Sequence, residues 1–345
     1  MGGAPPSGLD ERVAFLSRAA SYAHHPRSVR RIETHFAWVF LAGRFAFKLK
    51  KPTRQAGMDY RSVASRKAGC LNEVRLNRRL AGDVYLGVLP LRRGGRGSLS
   101  LRAGSETVDW LVKMRRLPGA RMLDRLIAAR AVRPRDLDRV AAHLIAFFRS
   151  AQARPLRPRE YLARLRRCAV RDTRTLAAAG LGLDRGALQR LRRAQLGFIA
   201  RQRRGLQARG ARVIEGHGDL RPEHICIEAH RCRVIDCLEF DADLRCLDPA
   251  EEMAFLMLEC ERLGSHAAGR RLLACYRRGR PDPVPEGIVH FYMSQQALTR
   301  AKIAAWHLKD PKFHRQRGLW SARARSYLSA ASRHIRRALR EAGVS

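Results

Sequence analysis

Residues 213–240 read VIEGHGDLRPEHICIEAHRCRVIDCLEF. Two short apolar runs in this segment each end in an aspartate, Asp219 and Asp236. We expect a β-hairpin between them, interrupted by Glu-Ala-His at 228–230. The aspartates are 17 positions apart (236 − 219), which leaves room for a loop and one hairpin. Carboxylates at strand ends can be solvated surface groups, and a short motif alone matches by accident. A second motif at a suitable distance favours a reaction centre instead.

The first half of this segment, HGDLRPEHI at 217–225, resembles the catalytic loop of the eukaryotic-type kinase superfamily, where the pattern is H-x-D-x-x-x-x-N. Its His-Gly-Asp opening is more similar to the aminoglycoside phosphotransferase family than to protein kinases. The second half, VIDC at 234–237, resembles the metal-binding aspartate motif that follows the loop. The resemblance implies that Asp219 is the catalytic base, that His217 and Arg221 belong to the same catalytic group, and that Asp236 binds a metal ion.

Phosphoryl transfer explains why two carboxylates would be needed. Its transition state is loose and spreads charge over the equatorial oxygens, so catalysis consists mostly of positioning and charge neutralisation. One carboxylate must receive the hydrogen bond of the acceptor hydroxyl, while another holds the metal ion that bridges the nucleotide phosphates. Asp219 suits the first task and Asp236 the second, with ATP and Mg²⁺ as the expected cofactors.

The sequence departs from the kinase pattern at His224, which occupies the position of the usual asparagine. Mg²⁺ prefers oxygen ligands, and imidazole is a poorer ligand for it. Asp236 with phosphates and water could hold a single Mg²⁺, His224 could select a softer ion such as Mn²⁺, or a protonated His224 could contact the phosphates. A fourth alternative is a site that binds nucleotide without turnover. We expect an active enzyme with one Mg²⁺ on Asp236.

The N-terminal part predicts antiparallel strands at 29–35, 38–41, 45–50, 86–91 and 107–117. Lys48 and Lys50 lie on one face of the third strand, because side chains alternate with a period of two. In the kinase superfamily, a lysine on such a strand contacts the α and β phosphates and is held by a glutamate on the next helix. The resemblance implies these roles for Lys48, in preference to Lys50, and for Glu73, the one acid in the predicted helix 61–80.

Residues 113–119, KMRRLPG, resemble the hinge of the phosphotransferases, which implies that Met114 and Arg115 contact the nucleotide. From there onward, periodic apolar residues predict helices at 120–130, 134–152, 158–179, 187–210, 286–307 and 317–339, and a further helix starting at Asp248-Pro249. The order of elements matches an α+β, protein-kinase-like two-lobed fold, with a small antiparallel-sheet N-lobe and a larger helical C-lobe. We expect an N-terminal leader and helix at 1–28, a nucleotide-binding N-lobe at 29–117, and a helical C-lobe at 118–345 that contains the catalytic loop 213–240.

Only 11 residues (237–247) separate Asp236 from Asp248-Pro249, too few for the activation loop and peptide-docking platform of a protein kinase. The predicted phosphate acceptor is therefore a hydroxyl of an unidentified small molecule. FKLKKP at 47–52 and IDCLEFD at 235–241 are similar to an uncharacterised bacterial subgroup of the family, whose members often carry a second, P-loop ATPase domain. We expect that domain to be absent here, since about 37 residues follow the last matched helix (345 − 308).

The charge of the chain is strongly basic but unevenly distributed. Lys and Arg total 69 against 31 Asp and Glu, a net charge of +38, and 61 of the 69 are arginines (69 − 8 Lys). Such a surface would attract polyanions such as nucleic acid, yet the arginines are dispersed, as solvated arginines arising from coding bias would be. Residues 236–261 carry nine carboxylates against one base. These acids could gather a metal ion or a cationic substrate, or offset surrounding arginines.

The eight cysteines include no C-x-x-C pair, and those of the central segment alternate with apolar residues, which favours buried free thiols over a metal site. The sequence has neither a signal-peptide pattern nor about 18 consecutive apolar residues, so we expect a cytoplasmic protein without a membrane span. The competing function class is a binding protein, either a catalytically silent kinase fold or a basic nucleic-acid-binding module. No aromatic-rich RNA motif or Cys/His finger supports the latter.

Overall fold

The computed structural model describes residues 8–55, 57–95, 97–179, 183–280, 282–308 and 315–343, so most of the predicted leader lies outside the described residues. Packing divides the chain into two units. The first, here called the sheet unit, comprises Met1–Arg125 and His224–Leu244, and the second, the helical unit, comprises Leu126–Glu223 and Arg245–Ser345. The sequence predicted the boundary between the N-lobe and the C-lobe at 117/118 and assigned all of 213–240 to the C-lobe. Packing instead places residues 224–244 in the sheet unit.

The strands, numbered along the chain, are β1 Val29–Glu33, β2 Ala37–Ala42, β3 Phe45–Lys50, β4 Arg54–Gln55, β5 Met58–Asp59, β6 Tyr85–Arg93, β7 Leu99–Ser100, β8 Glu106–Arg115, β9 Ile214–Glu215, β10 Ile225–Ile227, β11 Cys232–Val234 and β12 Cys246–Leu247. Six of them form an antiparallel sheet in the order β1-β2-β3-β8-β6-β7. The predicted hairpin of the central segment is β10 with β11, in antiparallel register.

The helices are α1 Gly8–Leu16, α2 Val63–Ala81, α3 Leu123–Ala128, α4 Pro134–Ser150, α5 Pro158–Ala177, α6 Arg185–Arg201, α7 Arg203–Arg209, α8 Ala242–Arg245, α9 Pro249–Arg262, α10 His266–Gly279, α11 Glu286–His307 and α12 Arg317–Glu341. The sequence predicted α6 and α7 as one helix and did not predict α10. Helix α1, in the region predicted as leader and helix, includes Asp10 and ends at Leu16. The Leu16 carbonyl accepts a hydrogen bond from the Tyr22 hydroxyl at 2.6 Å.

Strand β3 occupies the middle of the sheet and covers a different apolar cluster on each face. Phe47 and Leu49 pack with Leu16 of α1 in one cluster. Ala46 packs with Cys70 and with Val74 of α2 in the other. The alternation of side chains along a strand therefore directs Lys48 and Lys50, which share the parity of Ala46, towards helix α2.

Helix α11 is the centre of the helical unit and packs against α5, α9 and α12. A short strand pair, β9 with β12, joins the start of the central segment to the residues that precede α9. Within the described part of the chain, no helix is long and apolar enough to cross a membrane. All eight cysteines are free thiols, and the burial predicted for Cys226, Cys232 and Cys237 is confirmed, while Cys246 is partly exposed.

A buried ion-pair network in the helical unit ties α7 to the start of α9. The Arg209 guanidinium donates to both carboxylate oxygens of Asp248 at 2.6 Å and to Asp282 at 2.7 Å. Asp248 also accepts from the Tyr292 hydroxyl at 2.9 Å, and caps α9 by accepting from Ala250 N at 3.0 Å. A charged group this deeply buried is tolerated because every partner is satisfied.

We expect Arg209→Met to lower the free energy of unfolding by about 3–5 kcal/mol, because it leaves two buried carboxylates without their cation. Chemical denaturation measures this change. The matched control is Arg271→Met, which removes an equally bidentate arginine from the exposed Asp138. The control should leave the denaturation midpoint unchanged, and equal effects in the two variants would contradict the importance of the buried network.

Candidate active site

Lys48 lies between two carboxylates in the sheet unit. Its Nζ donates to Glu73 Oε1 at 2.8 Å and to Asp236 Oδ1 at 2.7 Å. Burial alone would lower the pKa of Lys48, but the carboxylates of Asp236, Glu73 and Glu239 outweigh it and hold the pKa well above its usual value. The lysine is therefore a permanent cation, and β3, α2 and the residues after β11 meet at its amine.

Lys50 makes a separate, deeper pair. Its side chain is 2% exposed, against 15% for Lys48, and its Nζ donates to Glu73 Oε2 at 2.6 Å and also to Glu239. Glu239 accepts a further hydrogen bond from the Tyr60 hydroxyl at 3.0 Å. Burial raises the pKa of Glu239, yet the two lysines reverse this and lower it. Glu73 thus serves both lysines, while Lys48 contacts Asp236.

Asp236 has a backbone conformation that is unusual for a residue with a side chain. Its φ is +63°, a left-handed conformation that costs on the order of 1–3 kcal/mol and persists only where the surroundings enforce it. Two hydrogen bonds do so, because Asp236 N donates to the Tyr85 hydroxyl at 3.1 Å and Cys237 N donates to Asn77 Oδ1 at 2.9 Å. The carboxylate is 45% exposed. A strained, fixed and accessible carboxylate is typical of a functional position.

His224 lies beside this carboxylate. Its Nε2 is 3.5 Å from Asp236 Oδ2, and its carbonyl accepts from Ile235 N at 2.9 Å. The two residues predicted as metal ligands are therefore neighbours. His224 ends the 3₁₀ turn before β10, and Asp236 lies in the segment that follows β11.

Asp219 lies in the helical unit, in the loop that follows β9. Its Oδ2 accepts from Arg221 Nη2 at 2.9 Å, and its Oδ1 is 3.9 Å from Nη1 of Arg300, a residue of α11. Burial would lower the pKa of Arg221, but Asp219, Glu223 and Glu259 raise it above its ordinary value. Asp219 is 23% exposed, so its carboxylate is reachable while remaining flanked by two guanidinium groups.

His217 lies in the same loop as Asp219. Its side chain is fully buried, and Nδ1 accepts a hydrogen bond from Asp219 N at 3.2 Å. This contact favours a role in positioning the loop that carries Asp219. Membership of His217 in the catalytic group stays a prediction.

Glu252 of α9 is a loop-positioning residue that the sequence reasoning missed. Its Oε1 accepts from His217 N and from Gly218 N, each at 2.7 Å. A Cβ at Gly216 would lie 2.5 Å from the same oxygen, so the carboxylate can approach only because residue 216 is a glycine. At the other end of the loop, Arg262 of α9 donates to Glu223 at 2.6 Å.

We expect Glu252→Ala to lower the free energy of unfolding by about 2 kcal/mol or more, because two backbone N–H groups lose their acceptor. Glu252→Gln keeps an acceptor oxygen of the same reach and serves as the matched variant, with a smaller loss. Urea denaturation of the pair measures the difference. If Glu252→Ala and Glu252→Gln lose equal stability, the negative charge rather than the two hydrogen bonds is what holds the loop.

Met114 and Arg115, predicted as hinge residues, close the sheet at the end of β8. Met114 is nearly buried and lies opposite Ala46 and Tyr85 in the register of its two neighbouring strands. The backbone N–H of Arg115 donates to Val84 O at 2.8 Å. That donor is already used within the sheet, so a nucleotide contact by these two residues stays a prediction.

Most carboxylates of the acidic segment 236–261 pair with basic side chains or backbone donors of the fold. Of the three alternatives given for this segment, the pairings agree with the one in which its acids offset surrounding arginines. In the sheet unit, Asp236 and Glu239 meet lysines. In the helical unit, the carboxylates pair with arginines or with backbone donors: Asp248 with Arg209, Glu251 with Arg164, Glu252 with the loop at 217–218, Glu259 with Arg262, and Glu261 with Arg333. These five carboxylates therefore have internal partners.

Comparison with solved structures identifies the architecture. No protein-family model matches the chain. A choline kinase from Cryptosporidium parvum is similar at a TM-score of 0.56 and 9% identity, covering 97% of this chain and 96% of that one. A choline/ethanolamine kinase family protein from Mesorhizobium loti gives a TM-score of 0.53 at 16% identity, covering 95% and 99%. An aminoglycoside 2'-phosphotransferase in complex with GDP gives 0.53 at 15% identity, covering 94% and 97%. The chain has a protein-kinase-like fold.

The α+β, two-lobed class expected for this kinase-like fold is thereby confirmed. At these identities the likeness concerns the fold alone, since one fold carries many functions. Among curated sequences, uncharacterised proteins of Mycobacterium tuberculosis and Mycobacterium bovis are each 29% identical over 318 residues. The match covers 89% of this chain and 59% of each relative, so the chain spans less than two thirds of their length.

The donor set around Asp236 is compatible with a nucleotide-borne Mg²⁺ in this kinase-like fold. In the described part of the chain, no three His, Cys, Asp or Glu side chains form a cluster that could hold a metal ion by themselves. Mg²⁺ commonly keeps several waters and takes one or two carboxylates together with substrate phosphates. The accessible Asp236 carboxylate could supply such a ligand, with the His224 imidazole next to it. The residues therefore fit an ion that arrives with its phosphates.

Proposed function

We propose that this protein is an ATP-dependent phosphotransferase that moves the γ-phosphate to a hydroxyl of a small molecule. The observation that carries the proposal is the Lys48 amine held between Glu73 and Asp236 in a kinase-like fold. A lysine on the surface is solvated by water and does not need two carboxylates to hold it. A cation fixed next to an accessible, strained carboxylate is what a nucleotide with its metal ion requires.

In this proposal the sheet unit binds the nucleotide. Lys48 contacts the α and β phosphates, and Glu73 fixes the lysine. Lys50 and Glu239 lie behind this pair and hold Glu73 from its other oxygen. Asp236 would hold the Mg²⁺, and the charge of the bound ion would offset that of the phosphates. Partly buried apolar side chains next to Ala46 and Met114, including Val39, Leu117 and Ile235, offer a surface for the flat base.

Asp219 is the proposed base. It accepts the proton of the acceptor hydroxyl as the hydroxyl oxygen bonds to the γ-phosphorus and the bond from phosphorus to the β,γ-bridging oxygen breaks. The products are ADP, the phosphate ester and one proton. Arg221 lies beside Asp219 and balances charge near the transferred phosphoryl group, while His217 and Glu252 keep the loop in place.

The names of the solved neighbours support a small molecule as the acceptor. They are a choline kinase, a choline/ethanolamine kinase family protein and an aminoglycoside phosphotransferase, the last with bound GDP. The short connection between Asp236 and α9 agrees with this, because it has no room for a peptide-docking segment. A cytoplasmic location stays a prediction from the sequence.

A catalytically silent nucleotide-binding protein is the second candidate, and His224 is the observation that favours it. The imidazole Nε2 faces the Asp236 carboxylate at 3.5 Å, where kinases carry an amide oxygen for the metal. In that case His224→Asn should create ATP consumption that the natural chain lacks. In an active enzyme with one Mg²⁺, the same substitution should leave turnover within about tenfold, since Asp236 remains the main ligand.

The test is ATP consumption, measured with Mg²⁺ and with Mn²⁺ across a set of small hydroxyl compounds and accompanied by direct nucleotide binding. We expect binding of ATP with the metal ion and consumption with at least one acceptor. Nucleotide binding without consumption by any acceptor would support the silent alternative. A chain that binds no nucleotide at all would overturn both.

A further inference from the structure

Arg300 is a second arginine beside the candidate catalytic carboxylate, and the phosphotransfer mechanism above gives it no task. It lies on α11, in the centre of the helical unit. Its Nη1 is 3.9 Å from Asp219 Oδ1, too long for a hydrogen bond. The guanidinium carbon lies 6.0 Å from the centre of the Phe255 ring. Arg221, in contrast, donates directly to the other oxygen of Asp219.

The donors of Arg300 are not used up by the fold. Its Nε is buried and has no hydrogen-bond partner among the described residues. The side chain as a whole is nevertheless 16% exposed, so part of it remains accessible. An arginine presents five donors in a rigid fork that matches carboxylate and phosphate oxygens. A buried, unsatisfied donor is costly unless a partner arrives.

Two guanidinium groups, those of Arg221 and Arg300, flank the Asp219 carboxylate. Arg221 also interacts with the carboxylates of Glu223 and Glu259, which raise its pKa, so its charge is offset within the fold. Arg300 faces Asp219 at 3.9 Å without a hydrogen bond to it. An ammonium group brought to Asp219 would meet two cations, whereas an anionic group would neutralise one of them.

We propose that the phosphate acceptor is an anionic alcohol, whose carboxylate or phosphate group is bound by Arg300 while its hydroxyl reaches Asp219. The inference rests on the proposed phosphotransfer and names the substrate class for it. It distinguishes this chain from the neighbours whose names refer to choline, ethanolamine or aminoglycosides, which are cationic compounds. Arg300 is here a specificity-determining residue, because its contact is with the part of the acceptor that does not react.

The experiment uses three probes of similar size: gluconate, which is negatively charged, glucose, which is neutral, and glucosamine, which is positively charged. Six-carbon sugar phosphates serve as a second anionic class. ATP consumption above the rate with water alone is measured for the full chain and for Arg300→Met and Arg300→Lys. The control is Arg333→Met, which removes a guanidinium from an exposed site on α12 in the same unit. Thermal unfolding of each variant shows that it is folded.

We expect the anionic probes to be preferred, and Arg300→Met to reduce their kcat/KM by about 10- to 100-fold, mainly through KM, as the loss of a charged hydrogen bond does. Consumption with glucose or with water should stay within about threefold, and Arg300→Lys should restore part of the loss. Arg333→Met should match the natural chain. Carboxylate probes and phosphate probes separate the two sources of negative charge.

Three results would overturn the inference while leaving phosphotransfer intact. They are a preference for glucosamine, a loss in Arg300→Met that is equal for all acceptors and for water, or no change in Arg300→Met. The second result would mean that Arg300 acts on the transferred phosphate. If the natural chain binds ATP yet consumes none with any probe, the proposed function itself fails, and the inference fails with it.

Discussion

Asp219→Asn is expected to lower turnover by about 10²- to 10⁴-fold while nucleotide binding remains, because the variant keeps the shape of the side chain but loses the group that receives the acceptor proton. The backbone of the loop should be preserved, since His217 and Glu252 hold it through main-chain N–H groups rather than through the Asp219 carboxylate. Steady-state ATP consumption and nucleotide titration of the same preparation measure the two effects separately.

Asp184→Asn is the matched control for this substitution. Asp184 is an exposed aspartate of the same unit, where it caps α6 by accepting from Gly186 N at 2.7 Å, and asparagine caps a helix equally well. The control should therefore retain both turnover and stability. An unchanged rate in Asp219→Asn would remove Asp219 from the mechanism, whatever the outcome for nucleotide binding.

Asp236→Asn is expected to abolish the dependence of nucleotide binding on Mg²⁺ and to lower kcat/KM by about 10²-fold or more, because a preorganised charge at the metal is lost. Asparagine tolerates the left-handed conformation that the structure records at this position, so the backbone should stay as it is. Titration of a fluorescent ATP analogue with and without Mg²⁺ gives a readout that is independent of turnover.

The comparison for Asp236 is Asp243→Asn, which removes the same charge from an exposed residue seven positions further along the same unit. It should bind the analogue with the same Mg²⁺ dependence as the natural chain. If Asp236→Asn also keeps that dependence, the metal ion is held elsewhere, and the assignment of Asp236 as its ligand is wrong.

The parts of the site that follow a local pattern could be predicted from the sequence. The period of two along 45–50 predicted that Lys48 and Lys50 lie on one face of the strand. Glu73 was predicted as their partner because it is the single acid in the following helix. In the structure both lysines donate hydrogen bonds to Glu73. The motif at 234–237 suggested Asp236, which contacts Lys48. What the sequence could not decide was which lysine meets Asp236. Burial decides it, since the Lys50 side chain lies deeper and pairs with Glu239.

Other residues of the site gave no usable pattern, for two physical reasons. Glu252 lies 35 positions from His217 and resembles every other acid of its segment, so nothing local shows that its carboxylate caps two backbone N–H groups. Arg300 is one of 61 arginines (69 − 8 Lys), and no motif surrounds it. Gly216, which leaves room for the Glu252 carboxylate, is the matching feature in the loop, but the sequence does not show that the two residues meet.

His217 illustrates what a motif leaves open. The motif predicts that His217 and Asp219 occur together, but it does not say which of them contacts a ligand. Complete burial and the hydrogen bond to the backbone of Asp219 favour a positioning role for His217.

The sheet unit is built from two segments that are far apart in the sequence, and this affects its folding while the chain is being synthesised. Lys48, Lys50 and Asp83 precede their partners Asp236, Glu239 and Arg233 by 188, 189 and 150 positions. A ribosome adds about 5–20 residues per second, so a nascent sheet would wait roughly 10–40 s before these charges are neutralised. A fragment truncated at Arg125 would resemble that intermediate permanently, with hydrated lysines in place of a closed interior, and would be a poor choice for isolated expression.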